Sequence, residues 1–144
     1  MFAIFKKDTL FIFYPIITIV SIEVAETTDQ FDAGGRLIRE YAEFLGLDLE
    51  FQGFSSELAS LPTMYGPPKG ALLLAKLKDI HVGAVGLREF ESGIAEMKRM
   101  YVIPDYHGMG VGKALTEAFF GRAKEMGYGS VRLDTIRELD KALR

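Results

Sequence analysis

The composition of this 144-residue chain is that of one globular domain, and it excludes several classes of protein. Hydrophobic residues make up 49% and charged residues 26% of the chain, which is too apolar for a disordered tail. The net charge is −3 and no long basic run occurs, so we expect no nucleic-acid partner. The chain has no cysteine and two histidines, which excludes disulfides and a cysteine nucleophile and predicts no metal site.

The N-terminal segment is the most apolar part of the chain. Lys6 and Lys7 precede the nearly uncharged run 11–22, an arrangement similar to a secretion signal. The run is shorter than the roughly 20 residues that span a bilayer, and Pro15 interrupts it. Segments 3–5 and 10–14 instead predict a β-hairpin. We therefore interpret residues 1–16 as an apolar extension and expect a cytoplasmic protein with no membrane partner.

The next part of the chain predicts one strand and two helices. Residues 17–25 predict a strand, because they are rich in β-branched side chains. Thr27, Thr28 and Asp29 are candidate caps for a helix that ends at Gly46. Residues 55–61 predict a second, short helix that ends near Pro62. Apolar side chains at helical spacing predict the buried face of the first helix: Leu37, Ile38, Tyr41, Phe44 and Leu45.

The second half of the chain predicts a meander followed by a strand–helix–strand unit. Segments 71–78, 81–90 and 94–102 predict three strands joined by short turns, and therefore antiparallel pairing. Residues 111–126 predict a helix that Gly127 caps, and residues 130–133 predict a strand. A strand–helix–strand order implies a right-handed crossover and parallel pairing. Residues 137–144 predict the start of another helix.

The segment that indicates a ligand lies between the third meander strand and this helix. Gly108, Gly110 and Gly112 alternate there, and glycines allow a sharp turn and close backbone approach to a ligand. The free N–H groups of the first helical turn and the helix dipole attract an anion. Lys113 adds a positive charge. The sequence therefore predicts a phosphate-binding site.

Three other glycine-rich loops fit this segment less well. A Walker loop requires Ser or Thr after the lysine, where the chain has Ala114. A dinucleotide-binding loop requires glycine where the chain has Lys113. A methyltransferase loop fits better, because Asp105 precedes the glycines and Asp134 follows the next strand. Too few residues follow the loop to complete the sheet of a methyltransferase.

The segment 107–112 resembles motif A of the GNAT acetyltransferases, Arg/Gln-x-x-Gly-x-Gly/Ala, with His107 in place of Arg or Gln. The preceding segment 96–104 resembles the fourth strand of that family, and 132–135 resembles its fifth. The resemblance is specific over residues 95–134 and extends loosely back to residue 17. It implies a GNAT acyl-CoA N-acyltransferase fold over residues 17–144. This is an α/β (α+β) fold with a mixed, mostly antiparallel sheet flanked by helices.

The resemblance also implies a reaction and the residues that support it. Acetyl-CoA would donate an acetyl group to an amine, whose identity the sequence does not indicate. Glu96 matches the family's general base, although a strand-face salt bridge with Lys98 or Arg99 is an alternative role. We otherwise interpret Lys98 and Arg99 as a solvated strand face. The Met100 amide would stabilise the oxyanion. The residues implied in cofactor binding are Met100, Tyr101, Val102, His107, Gly108, Met109, Gly110, Val111, Gly112 and Lys113.

The chain departs from the family pattern at its end. Family members continue past the fifth strand and often carry a tyrosine that protonates the leaving thiolate, whereas this sequence stops at Arg144. We therefore expect a C-terminally truncated member that lacks the last strands. Its sheet edge would be covered by a second copy in a homodimer, which is our preferred interpretation, or by the N-terminal segment folding back. Tyr101 and Tyr106 are candidate replacements for the acid. The alternatives are a non-catalytic acyl-CoA-binding domain and a methyltransferase that uses S-adenosylmethionine.

Overall fold

The N-terminal hairpin predicted from the sequence is present. The computed structural model describes residues 2–6, 9–13, 19–46 and 53–133, and only the backbone of the first two segments. Strands β1 (Phe2–Lys6) and β2 (Thr9–Phe13) pair antiparallel in a separate two-stranded sheet. Residues 14–18, the predicted helix at 137–144 and Asp134 lie outside the described residues. None of the helices described is long and apolar enough to cross a membrane.

A five-stranded mixed sheet forms the centre of the protein. It contains β3 (Val20–Val24), β4 (Ala71–Leu77), β5 (Ile80–Glu91), β6 (Ile94–Val102) and β7 (Ser130–Leu133), in that spatial order. β3 to β6 pair antiparallel with their neighbours, whereas β7 runs parallel to β6. The predicted meander and the predicted parallel crossover are therefore both confirmed.

The first helix, α1 (Thr28–Phe44), begins where the sequence predicts, but one residue of its predicted buried face is exposed. The Gln30 amide donates to the Thr27 hydroxyl at 3.2 Å, and the Gln30 side chain accepts from the Thr27 amide at 2.9 Å. This reciprocal pair caps the helix. Four members of the predicted stripe pack into or against the core, but Phe44 is 57% exposed, so that part of the prediction is wrong. Phe44 occupies the last turn, where its ring contacts Tyr101 at the edge of the core.

The predicted second helix is two short helices. These are α2 (Phe54–Ala59) and α3 (Leu61–Met64). The sequence predicts a helix end near Pro62, but Pro62 lies in the first turn of α3. Proline is tolerated there because its missing N–H would have no partner inside the helix. The break falls at Ser60, whose amide bonds back to the carbonyl of Glu57.

Helices cover both faces of the sheet, which confirms the predicted layered α+β architecture. α1, α2 and α3 pack on one face, where they share a core with Leu72, Leu74 and Ala84. The long helix α4 (Val111–Glu125) packs on the other face through Val111, Leu115, Phe119 and Ala123. Because strand side chains alternate, each sheet face has its own apolar set.

Gly86 of β5 allows the Tyr65 ring to lie directly on the sheet. A Cβ built at Gly86 would lie 2.6 Å from Tyr65 Cε1, and the Tyr65 side chain is fully buried. We expect Gly86→Ala to lower the free energy of unfolding by about 1–3 kcal/mol, because the core there cannot expand. A matched control is Gly121→Ala in α4, where no atom lies within 4 Å of the added Cβ. Gly121→Ala should raise the free energy of unfolding by ~0.5–1 kcal/mol. Urea unfolding measures both, and equal stabilities would contradict this packing.

Candidate active site

The glycine loop presents an uncapped helix N-terminus. β6 leads through a 3₁₀ turn at Pro104–Tyr106 into α4. Gly108 (φ +79°) and Gly110 (φ +81°) adopt left-handed backbone angles that side chains with a Cβ rarely allow. Gly110 is the N-cap residue and offers no side-chain hydrogen bond to the helix. The N–H groups of the first turn are therefore available to an anion.

The packing of the protein itself leaves room for a side chain at Gly112. Its added Cβ would have Val102 Cγ2 as nearest neighbour at 3.9 Å, which is an ordinary contact. A glycine is therefore not required by the protein, but it suits a ligand that approaches the first turn closely. A cavity of about 330 Å³ opens at this point. Its lining consists of Val102, Tyr106, His107, Gly108, Gly110, Val111, Gly112 and Lys113.

Beside the buried Val111, three side chains of the segment 107–113 have distinct environments. His107 Nε2 lies 2.8 Å from the Val102 carbonyl oxygen, and because a carbonyl only accepts, this nitrogen carries the proton. The bond ties the loop to the end of β6. Lys113 is 81% exposed and its Nζ lies 4.0 Å from Glu117, so the ammonium stays accessible. Met109 is half-exposed and does not line the cavity.

A β-bulge interrupts β6 next to this loop. Two residues, Arg99 and Met100, lie between the pairs Lys98–Gly86 and Tyr101–Ala84, where β5 has one residue. Arg99 has a φ of +57°, and such a bulge locally disrupts the hydrogen-bond ladder. β7 pairs with Ile94 to Met97 only, so within the described ranges residues 98–102 pair with β5 alone. Among the described residues, the backbone predicted to bind the pantetheine arm thus has no strand paired on the side of β7.

Glu96 is buried within a group of positive charges. Its side chain is 7% exposed, and its carboxylate oxygens lie 3.8 Å from Arg88 Nε, 3.9 Å from Lys98 Nζ and 3.6 Å from Arg132 Nη1. Arg88 and Arg132 are its direct neighbours on β5 and β7. The alternative salt-bridge role therefore involves Lys98 but not Arg99. The role of Glu96 as general base stays a prediction.

Arg99 belongs to a buried network that the sequence did not indicate. Its Nε donates to Glu57 Oε2 at 2.8 Å, and the Tyr65 hydroxyl donates to Glu57 Oε1 at 2.7 Å. The guanidinium also lies 4.1 Å from the centre of the Phe54 ring. Because the Arg99 side chain is 4% exposed, its interpretation as a solvated residue is wrong. Burial, and next the Glu57 carboxylate, raise the pKa of Tyr65 well above its ordinary range.

The two tyrosines considered as acids lie in different surroundings. The Tyr101 hydroxyl donates to Glu40 Oε2 at 3.2 Å, on the α1 side of the sheet. Burial, followed by the nearby Glu40 carboxylate, raises the pKa of Tyr101 to about 12, so this hydroxyl stays protonated at neutral pH. Tyr106 packs partly buried against the α4 core. Across the described parts of the chain, no three His, Asp or Glu side chains form a metal-binding group.

These elements together define a class of protein. A meander whose last strand bulges and leads through a glycine loop into a helix, with β7 parallel beside it, is the acyl-CoA N-acyltransferase fold. A family model described as the acetyltransferase (GNAT) family matches residues 31–144. The chain belongs to the GNAT acetyltransferase family. The resemblance inferred from motif A is thereby confirmed.

Known proteins support this assignment at two levels. An uncharacterized N-acetyltransferase of Schizosaccharomyces pombe is 36% identical over 129 residues, which cover 87% of this chain and 78% of that protein. A GNAT acetyltransferase structure from Staphylococcus aureus matches with a TM-score of 0.74 at 19% identity, covering 87% and 78% of the two chains. An aminoglycoside N-acetyltransferase solved with CoA matches at 0.70 and 14% identity, covering 91% and 86%. The two structures show the shared fold alone.

Proposed function

We propose that the protein transfers an acetyl group from acetyl-CoA to an amine of a small molecule or protein. The observation that carries this proposal is the uncapped N-terminus of α4 behind the left-handed Gly108 and Gly110, next to the open edge of β6. The family supports it, since its S. pombe relative is named an N-acetyltransferase. CoA is the ligand named for one protein of the same fold.

The site suggests how each part of acetyl-CoA would be held. First-turn amides of Val111, Gly112 and Lys113 would bind the pyrophosphate, and the positive end of the helix dipole would add to this attraction. The pantetheine arm would then add to the edge of β6 at residues 100–102 as a short extra strand. In this direction the thioester would lie beside the bulge, where the Met100 amide is the candidate oxyanion donor.

The reaction itself requires a proton acceptor and a proton donor. The amine nitrogen attacks the thioester carbon, a C–N bond forms, the C–S bond breaks, and CoA leaves as a thiolate. An ammonium has no lone pair, so it must first lose a proton, and Glu96 is the candidate acceptor. Tyr101, which stays protonated at neutral pH, is a candidate donor to the thiolate.

Replacing Glu96 tests the proposed function. We expect Glu96→Gln to lower kcat at neutral pH by roughly 10²–10⁴-fold, the usual contribution of a general base. Acetyl-CoA affinity should change little, and high pH should partly restore turnover because more of the amine is then unprotonated. Release of the free CoA thiol with a panel of amines measures the rate, and calorimetry measures the affinity. Glu117→Gln, on the exposed side of α4, removes the same charge and is the control.

Two outcomes would count against this function. An unchanged pH–rate profile in Glu96→Gln would reject Glu96 as the base. Binding of acetyl-CoA without thiol release for any amine would instead support the non-catalytic alternative. We do not propose a methyltransferase, because the glycine loop follows the last strand of an antiparallel meander and family membership is established.

A homodimer and a cytoplasmic location remain part of the proposal. In the described portion of the sheet, β3 and β7 are the edge strands, and β7 has only four residues. An exposed strand edge offers backbone groups to a second copy of the chain. Light scattering of the purified protein at micromolar concentration should give the mass of a dimer, and a stable monomer would reject it. Cell fractionation tests the location.

A further inference from the structure

Within the part of the chain that the structure describes, two partly exposed arginines lie beside the single carboxylate of Glu96. Arg88, Lys98 and Arg132 all approach this one carboxylate, each at 3.6 Å or more, which is beyond ordinary hydrogen-bond length. Arg88 and Arg132 are 39% and 48% exposed, so their guanidinium groups reach solvent. Arg132 also lies 4.1 Å over the Phe90 ring, which holds it in place. Among the described residues, Arg88 and Arg132 thus outnumber the one carboxylate that both of them approach.

Arg88 also lines the neighbouring cavity. This cavity, of about 440 Å³, lies between the α3 region, the loop 66–70 and β5, and its lining includes Ser60 and Thr63. The other charged groups in its lining, Lys69 and Glu89, neutralise each other at 3.0 Å. Deeper in the core, Glu57 and Arg99 form the buried pair described above. Arg88 differs from Lys69 in this respect, because its nearest carboxylate, that of Glu96, lies beyond hydrogen-bond distance.

We propose that the acceptor amine also carries an anionic group, which Arg88 binds while Arg132 adds positive potential. The inference rests on the proposed acetyltransferase function. The planar guanidinium matches a carboxylate or a phosphate through two parallel hydrogen bonds. The cavity volume suits a small molecule.

The spacing of the two groups on the acceptor follows from the sheet. Arg88 and Glu96 are directly paired across β5 and β6, where side chains lie roughly 5 Å apart. An acceptor with its anionic group at Arg88 and its amine at Glu96 therefore has only a few bonds between them. An amino acid has this geometry. Its negative charge also offsets the repulsion that Arg88 and Arg132 exert on the ammonium.

The test compares acceptors that differ only in this charge. We expect glycine, methionine or phenylalanine to be acetylated with a kcat/KM ~10–100-fold above that of its carboxamide, the range for hydrogen bonds to a charged group. Arg88→Gln should abolish this preference, because it should lower kcat/KM for the free amino acid and leave kcat/KM for the carboxamide unchanged. Arg88→Lys should retain part of it. Lys124→Gln, an exposed charge on α4, should leave the preference intact.

The readout separates this inference from a structural role and from the proposed function. The inference would be overturned if the unaltered protein acetylated the amino acid and its carboxamide with equal kcat/KM. It would also be overturned if Arg88→Gln lowered kcat/KM equally for both. An aminoalkyl phosphate preferred over the amino acid would keep the anion site and assign it to phosphate. If no amine is acetylated, the proposed function fails. In that case, calorimetry of the CoA-saturated protein measures the affinity for each amino acid and for its carboxamide. Tighter binding of the amino acid would support the anion site, and equal affinities would overturn it.

Discussion

Gly110→Asp should strongly weaken acetyl-CoA binding while leaving the fold intact. Gly110 caps α4 at φ +81°, and no atom lies within 4 Å of an added Cβ, so a side chain has room there. Asp tolerates this backbone conformation better than most residues do. Its carboxylate, however, would face the pyrophosphate. We expect an affinity loss of about 100-fold or more, because opposed like charges cost several kcal/mol. Calorimetry with acetyl-CoA measures it.

Two variants separate charge from backbone strain. Gly110→Asn has nearly the same shape and the same strain as Gly110→Asp but no charge, so it should lose much less affinity. Gly127→Asp places the charge at the opposite end of α4, where φ is +90° and space is open, and it should bind normally. Unchanged affinity in a folded Gly110→Asp protein would mean that the pyrophosphate binds elsewhere.

Arg99→Met should destabilise the protein strongly. The change removes the guanidinium that bonds Glu57 Oε2 at 2.8 Å and leaves the Glu57 carboxylate buried with the Tyr65 hydroxyl. Removing one partner of a buried ion pair costs about 3–5 kcal/mol, since the remaining charge has lost its compensation. Urea unfolding at neutral pH measures this loss. An effect within about 0.5 kcal/mol, the range of ordinary surface substitutions, would contradict the buried network.

The double variant Arg99→Met/Glu57→Gln tests the physical cause. It removes both charges, and the amide oxygen introduced at position 57 can still accept from the Tyr65 hydroxyl. We expect it to be more stable than Arg99→Met alone, because no isolated charge remains in the core. Glu125→Gln is the surface control, since it breaks an exposed pair with Arg122 at 3.6 Å. Its effect should be below about 0.5 kcal/mol.

The parts of the fold that the sequence predicted are those with local signals. Strand-forming segments joined by short turns indicated the meander, and the segment 111–126 followed by Gly127 indicated α4. The cap at Thr27 followed from residue type and position. The glycine loop was also predictable, because glycines between a strand and a helix indicate backbone angles that other residues rarely adopt. Each of these signals lies within one continuous segment of the chain.

The features that escaped prediction depend on contacts between distant segments. Arg99 and Glu57 are 42 positions apart, and neither residue type signals a buried partner. The cationic surroundings of Glu96 arise from pairing of β5, β6 and β7, so their composition appears only once the strand register is known. The break between α2 and α3 at Ser60 likewise depends on how Leu61 and Phe54 pack into the core. Local periodicity contains none of this information.

The double role of α4 couples ligand occupancy to folding. The same helix supplies the buried residues Val111, Leu115 and Phe119 and the amides of the candidate phosphate site. A ligand held there binds the folded chain and not the unfolded chain, so it shifts the equilibrium by mass action. Acetyl-CoA at 100 times its Kd would add about 2.7 kcal/mol to the free energy of unfolding. The melting temperature should therefore rise with acetyl-CoA concentration, so that a thermal titration reports the affinity before any acceptor is known.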